Sequence, residues 1–261
     1  MTTREFTDAE KDGHLLIVTI KRPEVMNSVH PPANMELSDI FDTFVDDPEL
    51  WVAIITGAGD RAFCAGNDLK YQAMGGKMTP VPKGFGGITN RFDLDKPIIA
   101  AVNGVAMGGG FEIALACDLV IAAENATFAL PEPKVGLAAL AGGLHRLPRQ
   151  IGHKQAMGMI LTGRHVPAKE GLSLGFVNEV APVGQSVEVA RKWAGLIMDC
   201  SPMSIRASKQ AVAKGLEKAN LAEAQGEQFS YPAIRAMLSS EDFREGPMAF
   251  AQKRKPDWKG K

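Results

Sequence analysis

The sequence predicts an α/β fold in which a layered core of short buried strands precedes a mainly helical C-terminal part. Two observations lead to this prediction. Short runs such as residues 51–56 (WVAIIT) and 97–102 (PIIAAV) are apolar throughout, as expected of strands buried on both faces. Beyond about Gly143, apolar residues recur mainly at helical spacing. A βα core with a helical extension explains both patterns.

The individual elements follow from local patterns. Residues 14–21 (HLLIVTIK) form a β-branched apolar run that ends at Arg22-Pro23, which predicts a strand. Residues 33–45 carry apolar side chains three and four apart, which predicts a helix. Further strands are predicted at residues 51–56, 97–102, 118–122, 126–130 and 176–180, and amphipathic helices at residues 185–198, 203–218, 221–238 and 241–253.

Two further features concern the organisation of the chain. Residues 74–89 are rich in glycine and proline and lack an apolar period, which predicts a mobile loop. The composition changes near residues 180–200. We therefore expect two parts, residues 1–195 as the α/β core and residues 196–261 as a helical region.

Charge and hydropathy exclude several classes of function. The 261 residues contain 29 Lys plus Arg and 30 Asp plus Glu, a net charge of −1. This balance gives no electrostatic reason to expect binding to nucleic acid or to an anionic membrane. The most apolar zone, residues 98–123, is interrupted by Asn103, Glu112 and Asp118, so no membrane span is predicted.

The cysteines and histidines point to a reducing compartment and to a protein without metal. Cys64, Cys117 and Cys200 are odd in number and form no C-x-x-C pair. The five histidines form no H-x-x-x-H pair, so a zinc site has little support. The N-terminal residues lack the apolar stretch of a signal peptide. A cytoplasmic location is the expectation.

Three segments combine glycine, amide and acidic residues, and each comes after a predicted strand. They are residues 63–69 (FCAGNDL), 103–112 (NGVAMGGGFE) and 128–133 (FALPEP). Functional loops of open α/β sheets collect beyond the carboxyl ends of the strands. We therefore treat these segments as candidate parts of one site.

Two glutamates in these segments are candidate acid/base groups. Gly108 to Gly110 lead into a helical stretch whose free N–H groups suit a developing oxyanion. Glu112 lies in the first turn, where a carboxylate is also favoured by the helix dipole alone. Glu132 lies between Pro131 and Pro133 and is either a rigidly held acid or a solvated turn residue. Together they would form a general acid/base pair beside an oxyanion hole.

Three rival motifs carry less weight. Residues 57–62 match G-x-G-x-x-A after a strand, but the loop composition near residue 77 does not supply the acidic residue of a dinucleotide site. Cys64 has no evident base and is expected to be a small packing residue. His145 is expected to lie on the surface of a helix.

The combination of the three segments carries a family resemblance. The order Phe-x-Ala-Gly-x-Asp-Leu, Asn-Gly-x-x-x-Gly-Gly-Gly-x-Glu and Pro-Glu resembles the crotonase (enoyl-CoA hydratase/isomerase) superfamily over nearly the whole chain. Within it, residues 95–104, 126–132 and 240–261 are similar to the carnitinyl-CoA dehydratases, and enoyl-CoA hydratases are also similar. The resemblance implies a ββα spiral core with a helical C-terminal region that forms homotrimers, which often pair into hexamers.

The resemblance also implies an activity, the reversible hydration of a 2-enoyl-CoA to a 3-hydroxyacyl-CoA. It assigns Glu112 and Glu132 as the catalytic pair and the backbone N–H groups of Asn67 and Gly109 as the oxyanion hole. Residues implied to hold coenzyme A are Ala65, Asp68 and Leu69, together with Phe250 and Lys253 of a neighbouring subunit. Coenzyme A is part of the substrate, and no separate cofactor is implied.

One loop departs from the family pattern and keeps alternatives open. Ala139 and Leu140 stand where the hydratases usually carry Pro and Gly, and in hydratases the backbone N–H at the position of Leu140 helps to hold the water. Leu140 keeps that N–H but adds bulk, which bears on substrate size and on hydratase efficiency. The alternatives are a Δ3-Δ2 enoyl-CoA isomerase, another crotonase-type reaction, or a non-enzymatic acyl-CoA-binding scaffold.

Overall fold

The computed structural model describes residues 4–77, 79 and 81–261, and these contain ten strands and eleven α-helices. Predictions for residues 1–3, 78 and 80 lie outside the described residues. The strands are β1 (Thr7–Asp12), β2 (Leu15–Ile20), β3 (Val52–Gly57), β4 (Ala62–Cys64), β5 (Ile98–Val102), β6 (Val105–Met107), β7 (Leu119–Ala123), β8 (Thr127–Ala129), β9 (Val166–Pro167) and β10 (Glu179–Ala181). The helices are α1 (Pro31–Asp46), α2 (Leu69–Ala73), α3 (Gly109–Ala116), α4 (Gly143–Gln150), α5 (His153–Thr162), α6 (Ala168–Leu174), α7 (Ser186–Met198), α8 (Pro202–Gly215), α9 (Leu221–Glu227), α10 (Pro232–Ser239) and α11 (Glu241–Ala251).

The strands form two sheets, and the chain alternates between them. The large sheet has the order β1-β2-β3-β5-β7-β10 and is parallel apart from the antiparallel β1–β2 pair. The small sheet has the order β4-β6-β8-β9, with β4, β6 and β8 parallel to one another. In three successive turns of the chain, β3-β4-α2, β5-β6-α3 and β7-β8-α4, one strand joins the large sheet, the next joins the small sheet, and a helix follows. This repetition confirms the predicted ββα core.

The central strands are buried on both faces, as their apolar sequences predicted. In β3, Ala53 and Ile55 face the main core, whereas Val52 and Ile54 face a second cluster. Helix α7 covers that second cluster with apolar side chains that include Val189. Helix α7 continues through residue 195 without a break. The division into residues 1–195 and 196–261 stays a prediction.

Two of the predicted elements need correction. The single helix predicted at residues 221–238 is wrong, because α9 ends at Glu227, a 3₁₀ turn follows at Gln228–Ser230, and α10 begins at Pro232. The proline ring excludes helical geometry at Tyr231, which is extended with φ −69° and ψ 133°. The strand predicted at residues 176–180 is observed as the shorter β10, which begins three residues later and ends one residue later, at Ala181.

The structure also contains a strand that the sequence patterns did not predict. Strand β1 has the polar sequence TDAEKD and pairs antiparallel with β2 at the edge of the large sheet. A polar edge strand discourages pairing with other chains. Its polarity also removes the apolar signal by which the inner strands were recognised.

Candidate active site

The three motif segments leave the small sheet at the same edge. Strands β4, β6 and β8 are parallel neighbours, with Cys64 paired to Ala106 and Met107 paired to Ala129. The carboxyl ends of parallel neighbours point the same way, so the residues that follow these three strands converge. Strands β4 and β6 have only three residues each, which is why the sequence patterns did not predict them.

The first segment is pressed against the start of α3. Gly66 has φ +93°, and a Cβ built on it would stand 2.7 Å from the carbonyl oxygen of Met107 and 3.1 Å from the nitrogen of Gly109. Gly109 is the first residue of α3, where an N–H group has no partner inside the helix. Within residues 4–77, 79 and 81–261, neither this N–H nor that of Asn67 donates a hydrogen bond. The two predicted oxyanion donors are therefore close together and free.

Glu112 projects from the first turn of α3 and is almost fully buried, with 3% of its surface exposed. Its Oε1 accepts a 2.8 Å hydrogen bond from the backbone N–H of Gly143 at the start of α4. Burial raises the pKa of Glu112 to about 7, and the charge of Glu132 adds to the rise, while the Gly143 N–H and the Arg146 charge oppose it. A buried carboxyl with a pKa near neutrality is suited to proton transfer.

Glu132 follows β8 and begins a short 3₁₀ turn, Glu132–Val135, with a proline on either side. Among the described residues, its Oε2 is buried without a hydrogen-bond partner. Burial also raises the pKa of this carboxyl. Glu132 is therefore not a solvated turn residue, and its unpartnered oxygen is available to a substrate or a water molecule.

Gly108 connects the two glutamates. Its carbonyl oxygen accepts the backbone N–H of Glu112 at 3.0 Å, and a Cβ built on it would stand 2.8 Å from Oε1 of Glu132. Gly108 also adopts φ +53°, which an L side chain rarely takes. The structure thus brings both predicted catalytic glutamates to the free N–H groups at the start of α3.

The wall of the site includes a residue that sequence reasoning missed. The ring of Phe85 lies against Gly109, since a Cβ built on Gly109 would stand 2.5 Å from a ring carbon. Phe85 is held there because Gly86 packs on Ile113 of α3 and Gly87 packs on α1. The C-terminal end of the predicted loop at residues 74–89 is therefore packed against the core. The glycines of this segment are the sequence feature that permits these close contacts.

The departure at residues 139–140 adds a side chain that is exposed to solvent. Ala139 is buried, whereas the side chain of Leu140 is 83% exposed and its N–H donates to the carbonyl oxygen of Ala138 at 2.9 Å. The N–H that meets Glu112 is instead that of Gly143, which sequence reasoning also missed. The glycine pair at residues 142–143 was its only signal.

The residues expected to hold coenzyme A fall into two groups. Ala65, Asp68 and Leu69 lie beside the oxyanion loop, but the carboxylate of Asp68 is buried and paired with Arg22. Phe250 lies on α11 and Lys253 just after it, and this helix packs on α8 and α10. The structure does not bring these last two residues to the glutamates of the same chain.

The rival motifs find no support. Residues 57–62 lead from β3 into β4, and the helix that a dinucleotide fingerprint requires does not follow. Cys64 is fully buried with its pKa raised to about 12 by burial, in line with packing. His145 is exposed on α4. In the part of the chain that is described, no three His, Cys, Asp or Glu residues are grouped to hold a metal ion, and no helix is long and apolar enough to cross a membrane.

Comparisons with known proteins agree with this geometry. Residues 10–261 match the family described as Enoyl-CoA hydratase/isomerase. A carnitinyl-CoA dehydratase of Escherichia coli is 42% identical over 257 residues, which are 96% of this chain and 97% of that protein. The crystal structure of an enoyl-CoA hydratase from Mycobacterium tuberculosis superimposes with a TM-score of 0.92 at 38% identity, covering 98% of this chain and 99% of that one. A carnitinyl-CoA hydratase from Mycobacterium avium is 43% identical, with a TM-score of 0.78 over 99% of this chain and 100% of that one.

Proposed function

We propose that this chain, which belongs to the enoyl-CoA hydratase/isomerase family, adds water reversibly across the Cα=Cβ bond of a 2-enoyl-CoA thioester. The observation that carries the proposal is the convergence of Glu112 and Glu132 on either side of Gly108, next to two free backbone N–H groups. Two carboxyls with raised pKa values can act as the general base and general acid in the addition and removal of water.

In this mechanism the thioester oxygen accepts hydrogen bonds from the N–H groups of Asn67 and Gly109. Negative charge builds up on that oxygen as the enolate-like intermediate forms, and the two bonds strengthen with it. The donors belong to the backbone of a packed loop and a helix start, so they need little reorganisation during the reaction.

Glu112 and Glu132 move the protons. During hydration, Glu112 takes a proton from the water whose oxygen bonds to Cβ, and Glu132 gives its proton to Cα. Water is added overall, and the carboxyls return to their starting state when a proton passes back between them or through solvent. Dehydration of a 3-hydroxyacyl-CoA runs the same steps in reverse. The Gly143 N–H holds Glu112 in position throughout.

Coenzyme A is the larger part of the substrate, and we assign its binding to residues of two neighbouring subunits. Ala65 and Leu69 flank the oxyanion loop. Asp68 contributes by shaping this loop, because its carboxylate is engaged by Arg22 and its backbone N–H by the carbonyl oxygen of Val29. Phe250 and Lys253 of a neighbouring subunit hold the phosphate end. Exposed apolar side chains on the C-terminal helices support a homotrimer or a dimer of trimers, and they include Val212, Leu216, Phe229 and Phe250. The proposed location is the cytoplasm.

The experiment follows the absorbance of the conjugated enoyl thioester with crotonyl-CoA and with crotonobetainyl-CoA, and identifies the products by mass. Loss of absorbance with a gain of one water supports the proposal, and the preferred substrate assigns the acyl group. Migration of a 3-enoyl double bond without any 3-hydroxyacyl-CoA would identify an isomerase. Tight acyl-CoA binding without turnover of any enoyl-CoA would identify a scaffold.

A further inference from the structure

A buried ion pair lies next to the candidate oxyanion loop, outside the catalytic pair. Arg22 Nη2 is 3.0 Å from Asp68 Oδ2, and the two side chains are only 11% and 8% exposed. A buried ion pair is weak evidence for stability, because desolvation offsets much of the attraction between the charges. Its position therefore calls for another explanation.

The guanidinium of Arg22 links the backbone of Ser28 to the side chain of Asp68. Nη1 donates to the carbonyl oxygen of Ser28 at 2.5 Å, while Nη2 donates to Asp68. The residue after Ser28 is Val29, and Val29 holds the oxyanion loop on both sides of Asn67. Its N–H donates to the carbonyl oxygen of Gly66 at 2.8 Å, and its carbonyl oxygen accepts the N–H of Asp68 at 3.2 Å.

Asp68 anchors the other end of the same loop. Its Oδ1 accepts the backbone N–H of Tyr71 at 3.1 Å and so caps the N-terminus of α2. Burial raises the pKa of Asp68, but the Tyr71 N–H and the Arg22 charge outweigh it and hold the pKa below its ordinary value. The carboxylate is therefore ionised at neutral pH, and it ties the helix cap to the guanidinium.

We propose that Arg22 and Asp68 are positioning residues that set the direction of the Asn67 N–H toward the thioester oxygen. Neither side chain touches substrate in this assignment, and both act through the backbone of residues 66–68. The inference rests on the proposed role of Asn67 as an oxyanion donor. It explains why an ion pair is buried at this loop. The backbone N–H and carbonyl groups of Gly66 and Asp68 are hydrogen-bonded, whereas the N–H of Asn67 between them has no partner among the described residues, so contacts on its two sides fix the direction of a free donor.

The variants distinguish loss of the buried charge from loss of the helix cap and from general loss of stability. Asp68→Asn removes the charge but keeps a good helix cap, because asparagine caps as well as aspartate. Arg22→Met removes the guanidinium, and Arg22→Lys keeps a charge that cannot donate in the same forked geometry. The matched control is Asp95→Asn, which breaks the two-bond pair with Arg206 at 2.9 and 3.1 Å. That pair lies before β5, away from the edge where the motif segments meet.

Two readouts distinguish positioning from folding. The first is kcat and KM for crotonyl-CoA, with thermal unfolding measured in parallel. The second is the infrared carbonyl stretch of bound butyryl-CoA labelled with ¹³C at the thioester, which cannot be hydrated and reports hydrogen bonding to that oxygen. Loss of a whole oxyanion donor costs about 10²–10³ in rate, so we expect a misdirected one to lower kcat about 10–100-fold. KM should stay within about threefold, since uniform binding is kept.

The expected result is a carbonyl stretch at lower frequency in the wild type than in free butyryl-CoA, with a smaller displacement in Asp68→Asn and Arg22→Met. Arg22→Lys should recover part of the loss, and Asp95→Asn should match the wild type in both readouts. The inference is overturned if folded Asp68→Asn and Arg22→Met show the wild-type displacement and kcat. A wild type with no carbonyl displacement and no turnover would instead overturn the proposed function.

Discussion

The carboxylate of Glu132 lies against the α-carbon of Gly108, so closely that a methyl group there would stand 2.8 Å from Oε1. The carbonyl oxygen of the same glycine accepts the N–H of Glu112. One residue without a side chain therefore lies between the carboxylate of Glu132 and the helical turn that carries Glu112. This arrangement leads to the first prediction.

Gly108→Ala should displace Glu132 and lower kcat about 10²-fold, the usual cost of misplacing a reacting group by roughly 1 Å. The positive φ of Gly108 should also reduce stability, by about 1–3 kcal/mol. Gly175→Ala is the matched control, because Gly175 has φ +98° but nothing within 4 Å of its Cβ position. The measurements are steady-state kinetics and thermal unfolding. Equal losses of kcat in the two variants would contradict the assignment.

Glu112→Gln should lower activity and raise the free energy of unfolding, and the gain in stability should depend on pH. Burial raises the pKa of Glu112 in the folded state to about 7, above its ordinary value in the unfolded chain. Ionisation therefore favours the unfolded state once the pH exceeds that ordinary pKa. Glutamine keeps the oxygen that faces the Gly143 N–H but never ionises. The variant should therefore be more stable than the wild type at pH 8, by on the order of 3 kcal/mol.

The control for this prediction is the same comparison of wild type and Glu112→Gln at low pH. Near pH 4 the wild-type carboxyl is mostly protonated in both the folded and the unfolded state, and the stability difference between the two proteins should shrink toward zero. Denaturant unfolding at pH 4, 6 and 8 measures it. A difference that does not change with pH would show that ionisation of Glu112 does not oppose folding.

Gly143 and Leu140 should differ sharply in their effects on catalysis. Gly143→Ala places a Cβ 3.1 Å from Oε1 of Glu112 and should lower kcat at least tenfold. Leu140→Ala alters a side chain that is 83% exposed and should change stability by less than about 0.5 kcal/mol. Kinetics on crotonyl-CoA and thermal unfolding test both. Collapse of activity in Leu140→Ala alone would show that Leu140 is the critical position of this loop.

Lys253→Ala and Phe250→Ala should raise KM for CoA thioesters and leave kcat nearly unchanged, because the interaction is the same in ground and transition states. Both side chains are exposed, so stability should change little. The comparison substrate is a pantetheine thioester, which lacks the adenosine phosphate end. Its KM should be the same in wild type and variants. An equal increase of KM for both substrates would exclude the proposed contact.

The sequence predicted those features that depend on local pattern. Mainly apolar runs predicted β2, β3, β5, β7 and β8. The three motifs, together with the family resemblance, led to the proposal of the two glutamates and the backbone donors. Pro232 is also a local signal, because a proline restricts the residue before it, Tyr231, to extended geometry. The apolar period continues at helical spacing on both sides of Pro232, so the pattern predicted one helix where there are two.

Contacts between distant segments could not be predicted in this way. The hydrogen bond from Gly143 to Glu112 spans 31 residues, and the pair of Arg22 with Asp68 spans 46. Such contacts depend on how the sheets stack and not on spacing along the chain. Asp68 shows the consequence, because a residue matched to coenzyme A by motif has its carboxylate occupied by the protein itself.

The most direct test of the account compares wild type, Glu112→Gln and Glu132→Gln in the hydration of crotonyl-CoA, with Glu124→Gln as an exposed-carboxylate control. The wild type and the control should form 3-hydroxybutyryl-CoA at similar rates. Each active-site variant should be slower by about 10²–10⁴, the usual contribution of a general acid or base. Near wild-type rates in both glutamine variants would contradict the two-carboxylate mechanism.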